Sequence, residues 1–166
     1  QHLPHHHSRL SQIRQRKLNT ICMGKLFLTM TEVFLDTSFA IALSSITDQN
    51  HVRAIQLANQ IEANKIRLVT TQGILLEIGN ALSKQRYRKA AIQLLESLET
   101  DPSVEVVLLP NSLYKSAFNL FKQRADKEWG LVDCISFIVM QDRGITDALT
   151  ADAHFQQAGF QALLRD

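Results

Sequence analysis

Four acidic residues of this 166-residue chain stand where an acid is unusual. Asp36 directly follows the apolar run VFL, and Asp152 directly follows ALTA. Glu77 is at the edge of an apolar helical stripe, one turn from Ile74. Asp133 immediately precedes the apolar run CISFIVM. These positions predict carboxylates at the ends or margins of buried elements.

Each acid also has a purely structural interpretation. Asp36, Asp133 and Asp152 could be N-caps of the helices that follow them, a role that Asp fills well. Glu77 could be a solvated residue at the boundary of its helix. Taken singly, the structural interpretations are favoured, and only the set of four indicates a site.

A cluster of four carboxylates would have a definite chemistry. Like charges and burial both raise carboxyl pKa values, so the cluster would need a cation. Oxygen ligands with no Cys or His among them favour Mg²⁺ or Mn²⁺ over Zn²⁺. Such pockets are suited to phosphodiester hydrolysis, in which the metal activates water and neutralises charge on the phosphate. The histidines of this region, His51 and His154, form no zinc pattern, and we expect both at the surface.

Short apolar runs alternate with longer helical patterns from residue 32 onward. Strands are predicted over residues 32–36, 66–71, 104–109, 147–152 and 160–165. Helices are predicted over residues 37–45, 72–85, 87–99 and 133–142, and the last of these is apolar on nearly every side. Two further helices are predicted, one from an N-cap at Asp48 through Ile61 and one from a cap at Asn111 or Ser112 through Phe121.

This alternation predicts an α/β domain with right-handed crossovers and a parallel sheet covered by helices on both faces. Ligands bind such sheets at the carboxyl ends of the strands, where Asp36 and Asp152 are both expected. The chain has no internal repeat and no Pro-, Ser- or Gly-rich linker, which indicates one domain.

The basic pI of about 8.7 arises from the first residues alone. Residues 1–29 hold five Lys or Arg, four of the six His and no acid, whereas residues 30–166 carry a net charge of −3. We interpret 1–29 as a leader, either a tag remnant or sequence upstream of a start at Met23 or Met30. A basic nucleic-acid arm or a transit peptide is the alternative. The domain is assigned to residues 30–166.

Several classes of protein are excluded by pattern. No run approaches 18 consecutive apolar residues, so no membrane span is predicted. With only Cys22 and Cys134, a disulfide framework is excluded, and a reducing, cytoplasmic setting is expected. The sequence has no G-x-x-x-x-G-K motif, which excludes a P-loop enzyme.

Four segments, in this order, resemble the PIN-domain ribonucleases and most of all the VapC-like toxins of bacterial toxin–antitoxin pairs. They are VFLDTSFAIAL (33–43), LLEIGNAL (75–82), WGLVDCISFIVM (129–140) and ALTADAHFQQAGF (148–160). The resemblance extends from about Thr31 to Arg165 and implies a three-layer α/β/α sandwich. It also implies a metal-dependent endoribonuclease with an RNA substrate, a homodimer, and an antitoxin whose tail silences the active site.

The resemblance also assigns roles to residues. The family's acidic quartet, which binds one or two Mg²⁺ or Mn²⁺ ions and activates water, matches Asp36, Glu77, Asp133 and Asp152. Thr37 or Ser38 matches the hydroxyl residue that helps to hold the metal site, and Asn80 matches an Asn of uncertain role. Where the family commonly has Ser and Thr before the third acid, this chain has Gly130 and Val132.

Other functions remain open on the sequence. The basic segment KQRYRKA (84–90) could be a solvated helix junction, a contact for RNA phosphates or a contact for an acidic antitoxin segment. A non-catalytic PIN-type RNA- or protein-binding module is one alternative function. A Mg²⁺-dependent phosphate-handling domain is another, although a dehalogenase-type phosphatase would need an acid where Ser38 stands.

Overall fold

A five-stranded parallel sheet forms the centre of the molecule, in the strand order β3–β2–β1–β4–β5. The computed structural model describes residues 31–165, so the leader predicted over 1–29 lies outside the described residues. The strands are β1 Glu32–Leu35, β2 Arg67–Thr71, β3 Val104–Val107, β4 Asp147–Leu149 and β5 Gln161–Ala162. All five predicted strands are present, and the predicted α/β class is confirmed.

Seven helices connect these strands within residues 31–165. They are α1 Thr37–Ser44, α2 His51–Ala63, α3 Gln72–Ala81, α4 Gln85–Thr100, α5 Asn111–Gln123, α6 Leu131–Arg143 and α7 Ala153–Gln157. Right-handed crossovers put α1–α4 on one face of the sheet and α5–α7 on the other. The contacts agree, since α1 packs on α2 and α4, while α6 packs on α5 and α7. The result is a three-layer α/β/α sandwich.

Two predicted helix caps are wrong. Helix α2 begins at His51 after Asn50, and Asp48 instead accepts the Asn50 N–H at 2.7 Å, bracing the preceding turn. Helix α5 begins at Asn111 itself, so neither Asn111 nor Ser112 is its cap. Several polar residues precede α2, and which one takes the cap position depends on how the loop packs. In α5 the cap position falls to Pro110, so both polar candidates lie within the first turn of the helix.

The predicted strand ends extend too far for a related reason. The run over 160–165 forms only the two-residue β5, although Leu163 and Leu164 beyond it are buried. These leucines lie in the turn that follows β5, where the Leu163 N–H still donates to the Ala148 carbonyl of β4 at 2.9 Å and the Leu164 N–H donates to the Thr150 carbonyl at 3.1 Å. An apolar run predicts burial, but the backbone turn after Ala162 decides where this strand ends.

An aromatic cluster on one face of the sheet holds α6 and α7 together. The Phe137 ring of α6 lies edge-on to Trp129 and to Phe155 of α7, with both centroid distances 5.0 Å. Phe155 also lies 6.0 Å from Phe34 of β1. All four side chains are buried, as the apolar pattern over 133–142 predicts for α6. These contacts set the relative position of three elements that carry or adjoin predicted site acids.

Replacement of Phe137 by Ala should therefore destabilise the folded protein. Loss of a fully buried ring costs about 3–5 kcal/mol, and we expect a decrease of that size in the free energy of unfolding, measured in urea. Val52→Ala, at a side chain that is 69% exposed, is the control and should change it by less than about 0.5 kcal/mol. An equal effect of the two variants would contradict the assigned core.

Candidate active site

Asp36 lies at the carboxyl end of the central strand β1 and is 95% buried, with 5% of its surface exposed. Its Oδ2 accepts a hydrogen bond from the Thr150 hydroxyl at 2.6 Å and one from the Ser38 hydroxyl at 3.0 Å. Although Asp36 occupies the N-cap position of α1, its side chain makes no capping bond. The structural interpretation as a cap therefore leaves its burial unexplained.

The Ser38 and Thr150 hydroxyls are themselves fixed by the backbone after β4. Ser38 Oγ accepts the Ala151 N–H at 3.0 Å, and Thr150 Oγ1 accepts the Asp152 N–H at 2.9 Å. Each hydroxyl thus has its acceptor side occupied and directs its proton toward Asp36. Sequence reasoning missed Thr150, and the only signal for it is a hydroxyl residue two positions before the acid in ALTAD.

Asp152 and Asp133 stand at the first turns of α7 and α6. Asp152 is the N-cap of α7, and its Oδ1 accepts the His154 N–H at 2.8 Å. Asp133 is the third residue of α6, not the N-cap, and its Oδ2 accepts the Gly130 N–H at 2.8 Å. The backbone N–H of Gly130 therefore supplies a hydrogen bond to this acid, at one of the two positions where the resemblance leads us to expect a hydroxyl side chain.

Glu77 projects from α3 and is half-buried. Burial raises its pKa most, and the charges of Asp36, Asp133 and Asp152 raise it further. The buried Thr37 hydroxyl lies close enough to lower this pKa, but the contact does not have the geometry of a full hydrogen bond. Asn80, one turn away, is exposed, and no side-chain hydrogen bond is found for it among the described residues.

The fold thus brings the four predicted acids to one edge of the sheet. Burial is the largest cause of a raised pKa at Asp36 and Asp133 as well as at Glu77. The repulsion from Asp133 adds to the effect at Asp36, and that from Asp152 adds to it at Asp133. Within the described part of the chain, no Lys or Arg is among the main influences on these three carboxyls.

The expectation that His154 is a surface residue is wrong. Its side chain is 27% exposed, and Nδ1 lies 3.2 Å from Asp133 Oδ2 and 3.5 Å from Asp152 Oδ1. Ligand atoms of His154, Asp133 and Asp152 all lie within 4.8 Å of one another. No spacing pattern could reveal this contact, because Asp133 and His154 meet only when α6 and α7 pack. His51, also expected at the surface, is half-buried as well, and its Nδ1 lies 2.8 Å from the Ala42 carbonyl oxygen.

The three aspartates share one arrangement. Each has one carboxylate oxygen engaged by fixed donors: Oδ2 in Asp36, Oδ2 in Asp133 and Oδ1 in Asp152. The other oxygen of each accepts no hydrogen bond of good geometry within residues 31–165. Carboxylates held by one oxygen and open at the other are suited to bind a cation between them.

A family model described as the PIN domain matches residues 33–161. The chain belongs to the PIN-domain family. It is 30% identical over 129 residues to the 23S rRNA-specific endonuclease VapC20 of Mycobacterium tuberculosis, in strains CDC 1551 and H37Rv. The match covers 77% of this chain and 95% of VapC20. The crystal structure of M. tuberculosis VapC20, described as a sarcin–ricin loop cleaving toxin, matches with a TM-score of 0.68, 28% identity and the same coverage.

Membership of the PIN family confirms the resemblance seen in the sequence and agrees with the parallel sheet of the structure. Membership of this family does not fit the alternative of a Mg²⁺-dependent phosphate-handling domain of the dehalogenase type. Within residues 31–165, no helix of this PIN domain is both long and apolar enough to cross a membrane. Cys134 is buried with a free thiol, and Cys22 lies outside the described residues.

The raised carboxyl pKa values predict how stability depends on pH without metal. A carboxyl with a raised folded-state pKa stabilises the fold fully below its ordinary pKa, 3.8 for Asp36. That contribution is lost as the pH rises through the folded-state pKa. With EDTA present, the free energy of unfolding of the wild type relative to Asp36→Asn should therefore fall as the pH rises above about 4. Urea titrations across this range measure the difference, and a difference that grows with pH would mean a lowered pKa at Asp36.

Proposed function

We propose that this PIN domain is a divalent-metal-dependent endoribonuclease and the toxin of a toxin–antitoxin pair. The observation that carries the proposal is the convergence of four carboxylates, three with one oxygen engaged and the other open, at the carboxyl edge of the sheet. The similarity to VapC20, named as a 23S rRNA-specific endonuclease, supports RNA as the substrate. The proposal extends to RNA as a class and not to one target site.

The residues at this edge fit Mg²⁺ or Mn²⁺. The ligands would be carboxylate oxygens of Asp36, Glu77, Asp133 and Asp152, and hard divalent cations prefer such oxygens. When bound, the cation would activate water and neutralise the charge that develops on the scissile phosphate. Without the cation, the negative charges of the four carboxylates would repel the phosphates of the RNA backbone.

The chain's own residues hold the site in shape. Ser38 and Thr150 direct their protons to Asp36, which keeps one oxygen of a deeply buried carboxylate hydrogen-bonded. Thr37 lies beside Glu77 and favours its ionised form. These hydroxyls lessen the cost of keeping charged carboxylates in a desolvated place.

RNA cleavage tests this function directly. The purified chain should cleave single-stranded RNA with Mg²⁺ or Mn²⁺ and lose activity in EDTA. Asp36→Asn should reduce the rate by more than about 100-fold, since a ligand matters more than an outer-shell partner, whose loss typically costs 10–100-fold. Asp142→Asn, at an exposed position on the same helix as Asp133, is the control and should retain activity. Cleavage that survives in EDTA or in Asp36→Asn would contradict the metal mechanism.

A catalytically silent PIN module is distinguished by metal titration. Calorimetry on the wild type and on Asp36→Asn reports whether Mn²⁺ binds through the carboxylates. A wild type that binds no Mn²⁺ would favour a module used for binding only.

The basic segment KQRYRKA is suited to contacts with RNA phosphates. All of residues 84–90 are exposed, and the segment follows the end of α3, the helix that carries Glu77. Arg86 lies over the Tyr87 ring at 4.7 Å, and Arg88 donates to the Ser83 carbonyl at 2.7 Å. The segment begins seven residues after Glu77 in the sequence, and its positive charge would attract the phosphates of the RNA backbone.

We infer two protein partners, a cognate antitoxin and a second copy of the chain. A cytoplasmic location stays a prediction from cysteine usage.

Helix α5 carries an exposed aromatic ridge of Tyr114, Phe118 and Phe121, each about two-fifths exposed. Their rings stack at centroid distances of 6.1 and 6.5 Å. Contiguous apolar surface of this kind marks an interaction site, and it supports a homodimer formed through α5.

Phe118→Asp tests the homodimer. A charge in the middle of the aromatic ridge would be desolvated in an interface, so the variant should elute as a monomer in size-exclusion chromatography with light scattering. The wild type should elute as a dimer, as should Lys115→Ala, an exposed substitution on the same helix. A monomeric wild type, or a dimeric Phe118→Asp variant, would contradict the role of the ridge.

A further inference from the structure

His154 connects the two acids that belong to different helices. Asp133 is part of α6 and Asp152 precedes α7, so their separation depends on how these helices pack. The His154 ring lies 3.2 Å from Asp133 Oδ2, and the His154 backbone N–H donates to Asp152 Oδ1 at 2.8 Å. One residue therefore contacts both carboxylates, one through its ring and the other through its backbone.

The contacts of Asp133 determine which atom carries the proton. Asp133 Oδ2 already accepts the Gly130 N–H at 2.8 Å, and an ionised carboxylate only accepts hydrogen bonds. Nδ1 of His154 must therefore donate to the same oxygen. With Oδ2 held by two donors, Oδ1 of Asp133 is the oxygen that remains open.

The position of the His154 ring is fixed by the core. The next residue, Phe155, is fully buried against Phe137, and Gln157, on the same short helix, accepts a hydrogen bond from the Trp129 indole at 3.1 Å. Trp129 in turn directly precedes Gly130. The same packing thus places the imidazole and the backbone donor on either side of one carboxylate oxygen.

We propose that His154 is a positioning residue for the cation site, which it shapes by holding Asp133 Oδ2 and Asp152 Oδ1 so that their other oxygens face the ion. This inference rests on the proposed function. Metal-binding carboxylates are characteristically oriented by such outer contacts, whose loss weakens metal binding by roughly 10–100-fold. The donating Nδ1 is not available as a ligand, and in this role the ring acts through the carboxylates.

Two amide substitutions separate positioning by Nδ1 from other roles. In His154→Asn the side-chain NH₂ can take the place of Nδ1, whereas in His154→Gln it takes the place of Nε2. Calorimetric titration with Mn²⁺ should give an affinity within about threefold of wild type for Asn and a roughly 10–100-fold loss for Gln and for Ala. His51→Ala is the control: this variant removes an imidazole whose Nδ1 contacts the Ala42 carbonyl, and it should bind Mn²⁺ like wild type.

A second readout needs no metal. In EDTA, the ¹H–¹⁵N spectrum of the labelled wild type should show a proton on Nδ1 of His154, and Asp133→Asn should change that resonance more than Asp142→Asn does. Circular dichroism confirms that each variant folds, and if Ala does not fold, the comparison of Asn with Gln carries the test.

The outcomes separate this inference from the proposed function. A wild type that binds no Mn²⁺ overturns both. A wild type that binds Mn²⁺ as tightly as the Gln and Ala variants overturns only the role of His154. Equal losses in Asn, Gln and Ala would mean that the imidazole itself binds the metal, which also overturns positioning through Nδ1.

Discussion

Burial of acidic side chains at one edge of the sheet, with repulsion between neighbouring carboxylates added to it, is the constraint on which this structure depends. Burial and neighbouring charge both disfavour the ionised forms of Asp36, Glu77 and Asp133, so their pKa values are raised. A fold that holds such groups together must be stabilised elsewhere. The parallel sheet meets this need by placing a continuous apolar core directly beneath the acidic edge, with Asp36 at the end of its central strand.

The core and the site are connected through a small number of contacts. Phe137 packs edge-on against Trp129 and Phe155, and these rings adjoin the residues that position Asp133 and Asp152. At Asp36, the Thr150 and Ser38 hydroxyls accept backbone N–H groups of the loop after β4 and donate to the carboxylate, so the loop holds Asp36 in place. Rigid supports of this kind matter for a metal site, because ligands that are already in place need little reorganisation when the ion binds. The same supports explain why open oxygens, and not merely acidic residues, are presented at the edge.

Membership of the PIN family gives these contacts a functional setting. The similarity to VapC20 covers almost the whole of that protein, and the match to the PIN-domain model over residues 33–161 includes all four acids. The acidic edge and the basic segment over 84–90 then have complementary roles in the proposed nuclease. One would hold the cation that acts on the phosphate, and the other would attract the rest of the RNA backbone. The basic pI, by contrast, comes from residues 1–29 and contributes nothing to this account of the domain.

Hydrophobic periodicity by itself determined the class of fold, the five strands and the buried character of α6. It could do so because the spacing of apolar residues along the chain indicates which side chains are buried. It also singled out Asp36, Glu77, Asp133 and Asp152, since charged residues interrupt that pattern. Hydrophobic periodicity could not predict the helix caps or the length of β5, because loop packing decides the caps and a backbone turn ends the strand. The tertiary structure alone decided that Thr150 donates to Asp36 and that His154 meets Asp133. Those pairs are separated by 114 and 21 residues, and a hydrogen bond between such distant residues depends on the packing of whole elements, which no local pattern records.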